Sequence, residues 1–431
     1  MLNRSPRTRP GAGPRRRSAR CVALALGLAA SVGLTAAADA SAATPRLTLR
    51  EVFGLAVAAN PNQAVLAARR AEAEAERRRA AAYSNPELEF AAGWADGRDA
   101  DADSRTTLAV AFTQPIEWPA ARRARAAVAA AGVDAAAWDA AMDRAALAAE
   151  VRRAFGTVLF RQRMLALARE DAANAAEIES IVDLRVAGGE AAELDRIKVR
   201  LERLRADRAV GVEAGRLAAA RTVLAALCGD TLSADFVVAD AWPDEPEPAD
   251  TDPAAAWTDH PALRLQEALR ARHAQELRVA EAVRRPGLAV GLAVAREYDA
   301  NSLGGFLRLE LPAWDRNAGG IAAAAARRDE ADAQLARLRR DIRRDVALAV
   351  QGLEQAREQR AAFEGGLRQA ATEAYRIETL RYREGEVDFL HLLDTRRTAR
   401  QVEAEYLLSQ YDVQMARAEL DRALGKGDIE P

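Results

Sequence analysis

Asp388, His391 and Asp394 follow one another at three-residue intervals, so on a helix they fall near one face. Imidazole and carboxylate both suit zinc-like ions. The spacing therefore raises a metal-coordinating trio. The alternative is a solvated histidine between acids favoured by a helix N-terminus. A second acidic group, Asp99, Asp101 and Asp103, lies in the polar stretch 97–104 and could hold a divalent cation or simply be a solvated loop. Elsewhere the residue types for chemistry are thin. His260, His273 and His391 are scattered, no triad or metal motif contains them, and no glycine-rich phosphate loop occurs. The chain reads as a protein that is not an enzyme and takes no cofactor.

The elements that would carry these residues are long helices. The 431 residues are half hydrophobic, much of it alanine, with 29% charged and only 5% aromatic. Ala, Leu, Arg and Glu are all good helix formers, and a chain rich in them suggests long helices or coiled coil. The first 42 residues are an address. Seven arginines between Arg4 and Arg20 precede an apolar run over 21–34, and Ala38-Asp39-Ala40 and Ala40-Ser41-Ala42 follow as cleavage sites. That is the layout of a secretory signal peptide; a retained signal anchor is the alternative. Cleavage after Ala40 leaves 55 basic and 63 acidic residues, a net charge of −8. Nucleic-acid binding wants a basic face, so it is not expected. Cleavage also leaves Cys228 alone, without an intramolecular disulfide partner. No later run offers the ~18 apolar residues of a spanning helix. Any membrane contact of the mature chain must come through strands.

The chain also repeats itself. Asn60-Pro61 recurs as His260-Pro261, and Asn85-Pro86-Glu87-Leu88 as Arg285-Pro286-Gly287-Leu288, both 200 residues on. Leu184 to Glu190 recurs as Leu380 to Glu386, and Gly229 as Gly425, both at 196. Ordered matches with a slowly drifting offset indicate duplication. The organisation is a signal peptide (1–42), a first repeat (43–229), a proline- and acid-rich linker (230–256) and a second repeat (257–431).

Each repeat runs in the same order. A first helix covers 49–83 and 261–284, with Thr48 and Asp259 as caps. Pro86 and Pro286 stop it. Two strands follow: Leu88, Phe90, Ala92 and Trp94 alternate, as do Leu108, Val110 and Phe112. In the second repeat Leu288, Val290, Leu292 and Val294 alternate, then Leu307, Leu309 and Leu311. Period two marks strands with one apolar face. Next comes a long helix, from Pro119 to Arg185 and from Ala313 to Arg383, with no proline after its first residue. About 67 residues at 1.5 Å each span on the order of 100 Å. Leu335, Leu338, Ile342, Val346, Ala349, Leu353 and Ala356 form a coiled-coil-like seam. Gly188-Gly189 and Gly385 end these helices with a reversal, and return helices run over 190–227 and 386–424. The first and return helices together match the long helix in length, so they would pair along it end to end.

Four strands cannot close a barrel, which needs about eight, and an open edge is not tolerated in lipid. If these are membrane strands, several chains must share one barrel. The fold class is mainly α with a small β part: a long α-helical coiled-coil barrel joined to a four-strand contribution to a shared transmembrane β-barrel. A coiled-coil periplasmic adaptor or scaffold without a pore is the rival. It would not need two alternating hairpins of membrane length.

Asn60-Pro61, Asn85-Pro86-Glu87-Leu88, Gln114-Pro115-Ile116-Glu117-Trp118 and Tyr382 to Leu390 resemble the TolC-like outer-membrane efflux proteins, more closely the CzcC-type heavy-metal branch. Arg122-Arg123 departs from that branch's more usual Gly-Lys-Arg-like run. The resemblance implies a homotrimer in the outer membrane with a periplasmic helical tunnel. It also implies docking to a periplasmic adaptor and an RND-type, proton-driven inner-membrane pump. The tunnel's gate would lie at the periplasmic tip beside Gly385, with the gating tyrosine on Tyr382. The two acidic ring positions fall on His391 and Asp394, so only one is acidic here, and Asp388 one turn earlier would supply the other charge. Such carboxylate rings attract cations. Trp118 and Trp314, each after the last strand of a repeat, would sit in a membrane-interface belt, with packing under the barrel as the alternative. The two turns differ, Val186-Ala187-Gly188-Gly189 against Tyr382-Arg383-Glu384-Gly385, and the second is the expected gate.

Overall fold

The computed structural model describes residues 46–94, 106–233, 235–239, 257–297 and 300–429. The signal peptide, the larger part of the linker and the acidic stretch 97–104 fall outside the described residues.

The first repeat comprises β1 (Arg46–Leu47), α1 (Leu49–Ala59), α2 (Asn62–Ala81), β2 (Glu87–Trp94), β3 (Thr106–Ile116), α3 (Pro119–Ala187) and α4 (Glu193–Leu227). After β4 (Val237–Val238) and a 3-10 turn (Trp257–Asp259), the order recurs. It continues as α5 (Pro261–Ala282), β5 (Gly287–Glu297), β6 (Ala300–Glu310), α6 (Ala318–Ala362), α7 (Arg368–Glu384) and α8 (Phe389–Ala423).

Local chemistry explains most boundaries. Thr48 caps α1 in a full capping box: its hydroxyl accepts from Glu51 N, and Glu51 accepts from Thr48 N at 2.8 Å. The expected single helix over 49–83 is broken. Pro61 lacks an N–H for a helix interior, and α1 ends at Ala59. Asp143 on α3 braces the break, accepting from Asn60 Nδ2 at 3.2 Å and Asn62 Nδ2 at 3.0 Å. In the second repeat the cap is His260, not Asp259: its Nδ1 accepts from Ala262 N at 3.1 Å. The long helix of that repeat begins at Ala318, not Ala313, because Asn317 takes a left-handed conformation with φ 55°. It is also interrupted. Residues Phe363–Leu367 form a π turn in which Gly366 has φ 126°. The first repeat's α3 runs unbroken for 69 residues.

The glycine reversals come in two matched pairs, each 196 residues apart. Gly189 and Gly385, at φ 76° and 79°, close α3 and α7, and Gly229 and Gly425, at φ 65° and 70°, close the return helices. At each, the residue after the glycine donates back to a carbonyl five residues earlier, as in Asp230 N to Ala225 O and Lys426 N to Asp421 O, both 2.9 Å. These bonds satisfy carbonyls that a helix end leaves orphaned. The pairs differ in surroundings. A Cβ at Gly425 would stand 2.5 Å from Pro261 Cδ, and one at Gly229 2.8 Å from Ala59 Cβ, whereas Gly189 has open space. Gly189→Ala should therefore cost only about 1 kcal/mol of backbone strain. Gly425→Ala adds a steric clash and should cost about 3 kcal/mol or more. Denaturant midpoints of the two variants check this difference.

Three cores hold the described residues together. One joins α1, α3, α4 and β4 around Val52, Val151, Leu159, Leu224 and Phe236. A second joins α5, α6 and α8, and the seam Leu335, Ile342, Val346, Ala349, Leu353 and Ala356 is buried there, with Leu338 partly so. The third joins the ends of both repeats: Ile178 and Val182 of α3, Val199 of α4, Tyr382 of α7, and Phe389, Leu392 and Leu393 of α8. The repeats are further interlocked because α5 packs on α3 as well as on α6, beyond the pairing expected within each repeat. Near the chain's end, buried Asp421 sits among Arg152, Arg417 and Lys426 at 3.6, 3.8 and 3.3 Å, tying α8 to α3.

Candidate functional sites, the sheet face and the paired turns

The four long strands form one sheet in the order β2-β3-β5-β6, antiparallel throughout. Register places Phe90 beside Val110, Val110 beside Val294, and Val294 beside Leu303. The neighbouring row aligns Leu88, Phe112 and Leu292. Side chains two apart share a face, so these rows make a single apolar surface with Leu108, Val290, Leu307 and Leu309. It is exposed throughout, from 39% at Val110 to 77% at Leu303. The opposite face carries Glu87, Glu89, Ala91, Ala109, Ala111, Ala293, Ala295, Ser302, Gly304 and Arg308, mostly small and polar, with Phe306 lying over Gly291 as the large exception. A water-soluble sheet would bury its apolar face and wet the other. Here the apolar face is bare, which suits lipid. An 11-residue strand such as β3 or β5 rises about 36 Å, or about 25 Å when tilted ~45°, matching an outer-membrane apolar band. Among the described residues no helix is long and apolar enough to cross a membrane.

Aromatics stand at both ends of the strands. Trp94 is 66% exposed at one end of β2. At the other end of the sheet Trp118 donates its indole N–H to Pro286 O at 2.8 Å, and Arg285 lies over its ring. Trp314 is 99% exposed. Where strand gives way to helix, Arg125 clasps Glu117 through two 2.8 Å bonds and donates to Ala80 O and Ala82 O. The Arg125 hydrogen bonds hold the Glu117 carboxyl below the usual range, against the opposing effect of burial.

At the paired turns, Tyr382 is buried at 4% exposure and meets Phe389 edge-on at 6.2 Å. Burial pushes its phenol up, against the lowering pull of Arg185. Arg185, in the last turn of α3, donates to Tyr382 O at 3.0 Å and lies 5.0 Å from the centre of its ring. Arg383 pairs with Glu177 at 2.7 Å. Deeper along the same helices, Arg396 donates to Asp171 Oδ1 at 2.6 Å and Asp171 O at 2.7 Å, both side chains under 10% exposed. Arg400 reaches Asp171 Oδ2 at 2.9 Å. Sequence reasoning missed Arg185, Glu177, Asp171 and Arg396. Only Arg185 had a local signal, its place in the recurring Leu-Arg turn motif.

The proposed metal trio does not assemble. Asp388 is the N-cap of α8, where its carboxylate accepts from His391 N at 3.1 Å. His391 and Asp394 lie exposed on α8, and among the described residues no three His, Cys, Asp or Glu side chains are grouped to hold a metal. The cap satisfies an orphan N–H, which accounts for an acid at 388 without a ligand. Gly188 and Gly189 form the corresponding turn of the first repeat, with Gly189 left-handed.

Residues 255–426 match the outer membrane efflux protein family. Over 386 residues, 88% of this chain and 90% of the relative, the chain is 28% identical to the cobalt-zinc-cadmium resistance protein CzcC of Cupriavidus metallidurans. Its fold is similar to that of the outer-membrane channel OprN, with TM-score 0.74, 20% identity and coverage of 88% and 89% of the two chains. It is similar also to the MtrE outer membrane channel of Neisseria gonorrhoeae, with TM-score 0.73, 18% identity and coverage of 88% and 89%. The second half of the chain thus matches the outer membrane efflux protein family, most of its length is similar in sequence to CzcC, and its fold is similar to that of outer-membrane channels.

Proposed function

We propose that this chain is one protomer of an outer-membrane exit duct, passing substrate from a periplasmic adaptor and an inner-membrane RND-type pump to the exterior. The bare apolar sheet face with two unpaired edges carries this reading. A periplasmic scaffold would have no use for it. Three copies would supply twelve strands, more than the about eight a closed barrel needs. The edges belong to different repeats, β2 to the first and β6 to the second, so a head-to-tail ring sets the first repeat of one chain against the second repeat of the next. The helices are prepared for the same contact. Leu194, Ile197, Leu201 and Leu204 form an exposed seam at 3-4-3 spacing on α4, and α7 exposes Ile377 and Leu380. Trp118 and Trp314 fit the inner interface belt and Trp94 the outer one. The family match over 255–426 supports reading 43–229 and 257–431 as two units separated by the linker 230–256. Likeness to CzcC favours cobalt, zinc or cadmium cations as cargo.

Heat-modifiable trimers in outer-membrane fractions, together with cobalt, zinc and cadmium sensitivity of a deletion strain, test this reading. A soluble periplasmic monomer would exclude it. Unchanged metal tolerance with new drug sensitivity would move the cargo to drugs.

The gate is the second repeat's turn, with Tyr382 and Gly385 held shut by Arg185 and with Asp388, His391 and Asp394 around the opening. A hydrogen bond from a charged donor is worth about 1.5–3 kcal/mol, and about 1.4 kcal/mol is a factor of ten in an equilibrium. Arg185→Ala should therefore raise the open population about tenfold or more, read as conductance of the purified channel in planar bilayers. Arg383→Ala, which breaks an exposed pair, should change it far less.

A further inference from the structure

We infer that Gly365-Gly366 is the hinge on which the α7–α8 hairpin turns to open the duct; this rests on the gate reading above. The long helix of the second repeat gives way there to the π turn Phe363–Leu367, and Gly366 leaves helical geometry altogether at φ 126°, ψ −14°. A Cβ at either glycine would meet nothing within 4 Å. Neighbours therefore do not require glycine; at Gly366 the backbone does. At the 196-residue offset that aligns the two turns, the first repeat has Arg169 and Glu170 within the unbroken α3. One repeat is a strut and the other is jointed at the same level. π turns within helices recur at functional sites.

The joint also answers a mechanical difficulty. α8 passes it without a break, so a bend changes the path lengths of two helices lying side by side. For helices ~10 Å apart, a 10° bend needs about 1.7 Å of slack, close to the ~1.5 Å rise of the single extra residue a π turn stores. Seventeen residues separate the joint from Gly385 in α7. That lever of about 25 Å carries the turn some 4–5 Å per chain for such a bend. The contacts around the joint are of the kind that can reset. Arg368 pairs with Glu403 at 2.5 and 2.9 Å and stacks over Tyr406, Phe363 meets Tyr406 at 6.3 Å, and Arg360 reaches Glu364 at 3.4 Å. Most are exposed pairs, weak individually.

The test uses the full-length channel in planar bilayers with potassium chloride as the conducted salt. The double substitution Gly365→Ala/Gly366→Ala should regularise the helix. Trimers should assemble in normal amount, but open time should fall at least tenfold. As a reversible lock, Phe363→Cys with Tyr406→Cys should be silent when oxidised and recover on reduction with dithiothreitol. Open times equal to the parent in the alanine variant, or full conductance of the oxidised cysteine pair, would overturn the hinge. Absence of current from the parent trimer would instead sink the duct reading, so the two failures are distinct.

Discussion

Val110→Arg is expected to abolish trimers in the outer membrane, whereas Ala111→Arg, one residue along the same strand, is expected to leave them assembled. Val110 sits mid-strand in the exposed apolar row with Phe90 and Val294 beside it. An arginine on the lipid face near the bilayer midplane costs about 2–4 kcal/mol. Three copies bring about 6–12 kcal/mol, comparable to the whole stability of a typical domain. Ala111 points to the other face, with Glu89 directly across on β2. There a guanidinium meets water and a carboxylate. Heat-modifiable bands from outer-membrane fractions read both variants at once. If Val110→Arg assembled as well as Ala111→Arg, the apolar face would not face lipid.

The second large effect is expected from Arg396→Ala. It strands the buried carboxylate of Asp171, which then keeps only Arg400, a side chain 52% exposed. Removing one partner of a buried pair typically costs 3–5 kcal/mol, while replacing both by apolar residues of similar size is often neutral. Arg396→Ala should lower stability by about 3 kcal/mol, at the low end because Arg400 remains. The double substitution Arg396→Leu/Asp171→Leu should recover most of that loss, and Arg400→Ala alone should cost under about 1 kcal/mol. Chemical denaturation followed by helical circular dichroism gives all three values.

Features written in neighbouring residues were open to sequence reasoning. Alternation in 88–94, 108–112 and 288–294 follows from the two-residue period of a strand, and the structure places all three runs in strands. The reversals at Gly188-Gly189 and Gly385 needed only a left-handed backbone, and the 196-residue spacing of Gly189 and Gly385 is that of the sequence repeat. The seam on α6 was visible because it is periodic. What escaped depends on partners far away in the chain. Nothing near Asp171 announces Arg396, 225 residues on, and nothing near Arg185 announces the Tyr382 carbonyl it binds. Asp388 misled because helix caps and metal ligands draw on the same acids. The break at Asn60-Pro61 could have been read from proline, but helical composition on both sides concealed it. The interruption at Gly365-Gly366 lay inside a run without proline, where two glycines can as well be tolerated as obeyed.

The unpaired edges of the sheet have a consequence for biogenesis. On the shared-barrel reading, β2 and β6 each present an unpaired edge that must pair in ladders with the edges of other copies. Until they form, each newly exported chain carries unsatisfied backbone groups beside a bare apolar surface, a template for aggregation. Completing the sheet and meeting other copies are then one event, and its rate must rise steeply with the supply of chains. On that reading, folding yield in the periplasm depends on export flux and on whatever shields the edges in transit, and stabilities are to be compared at equal protomer concentration.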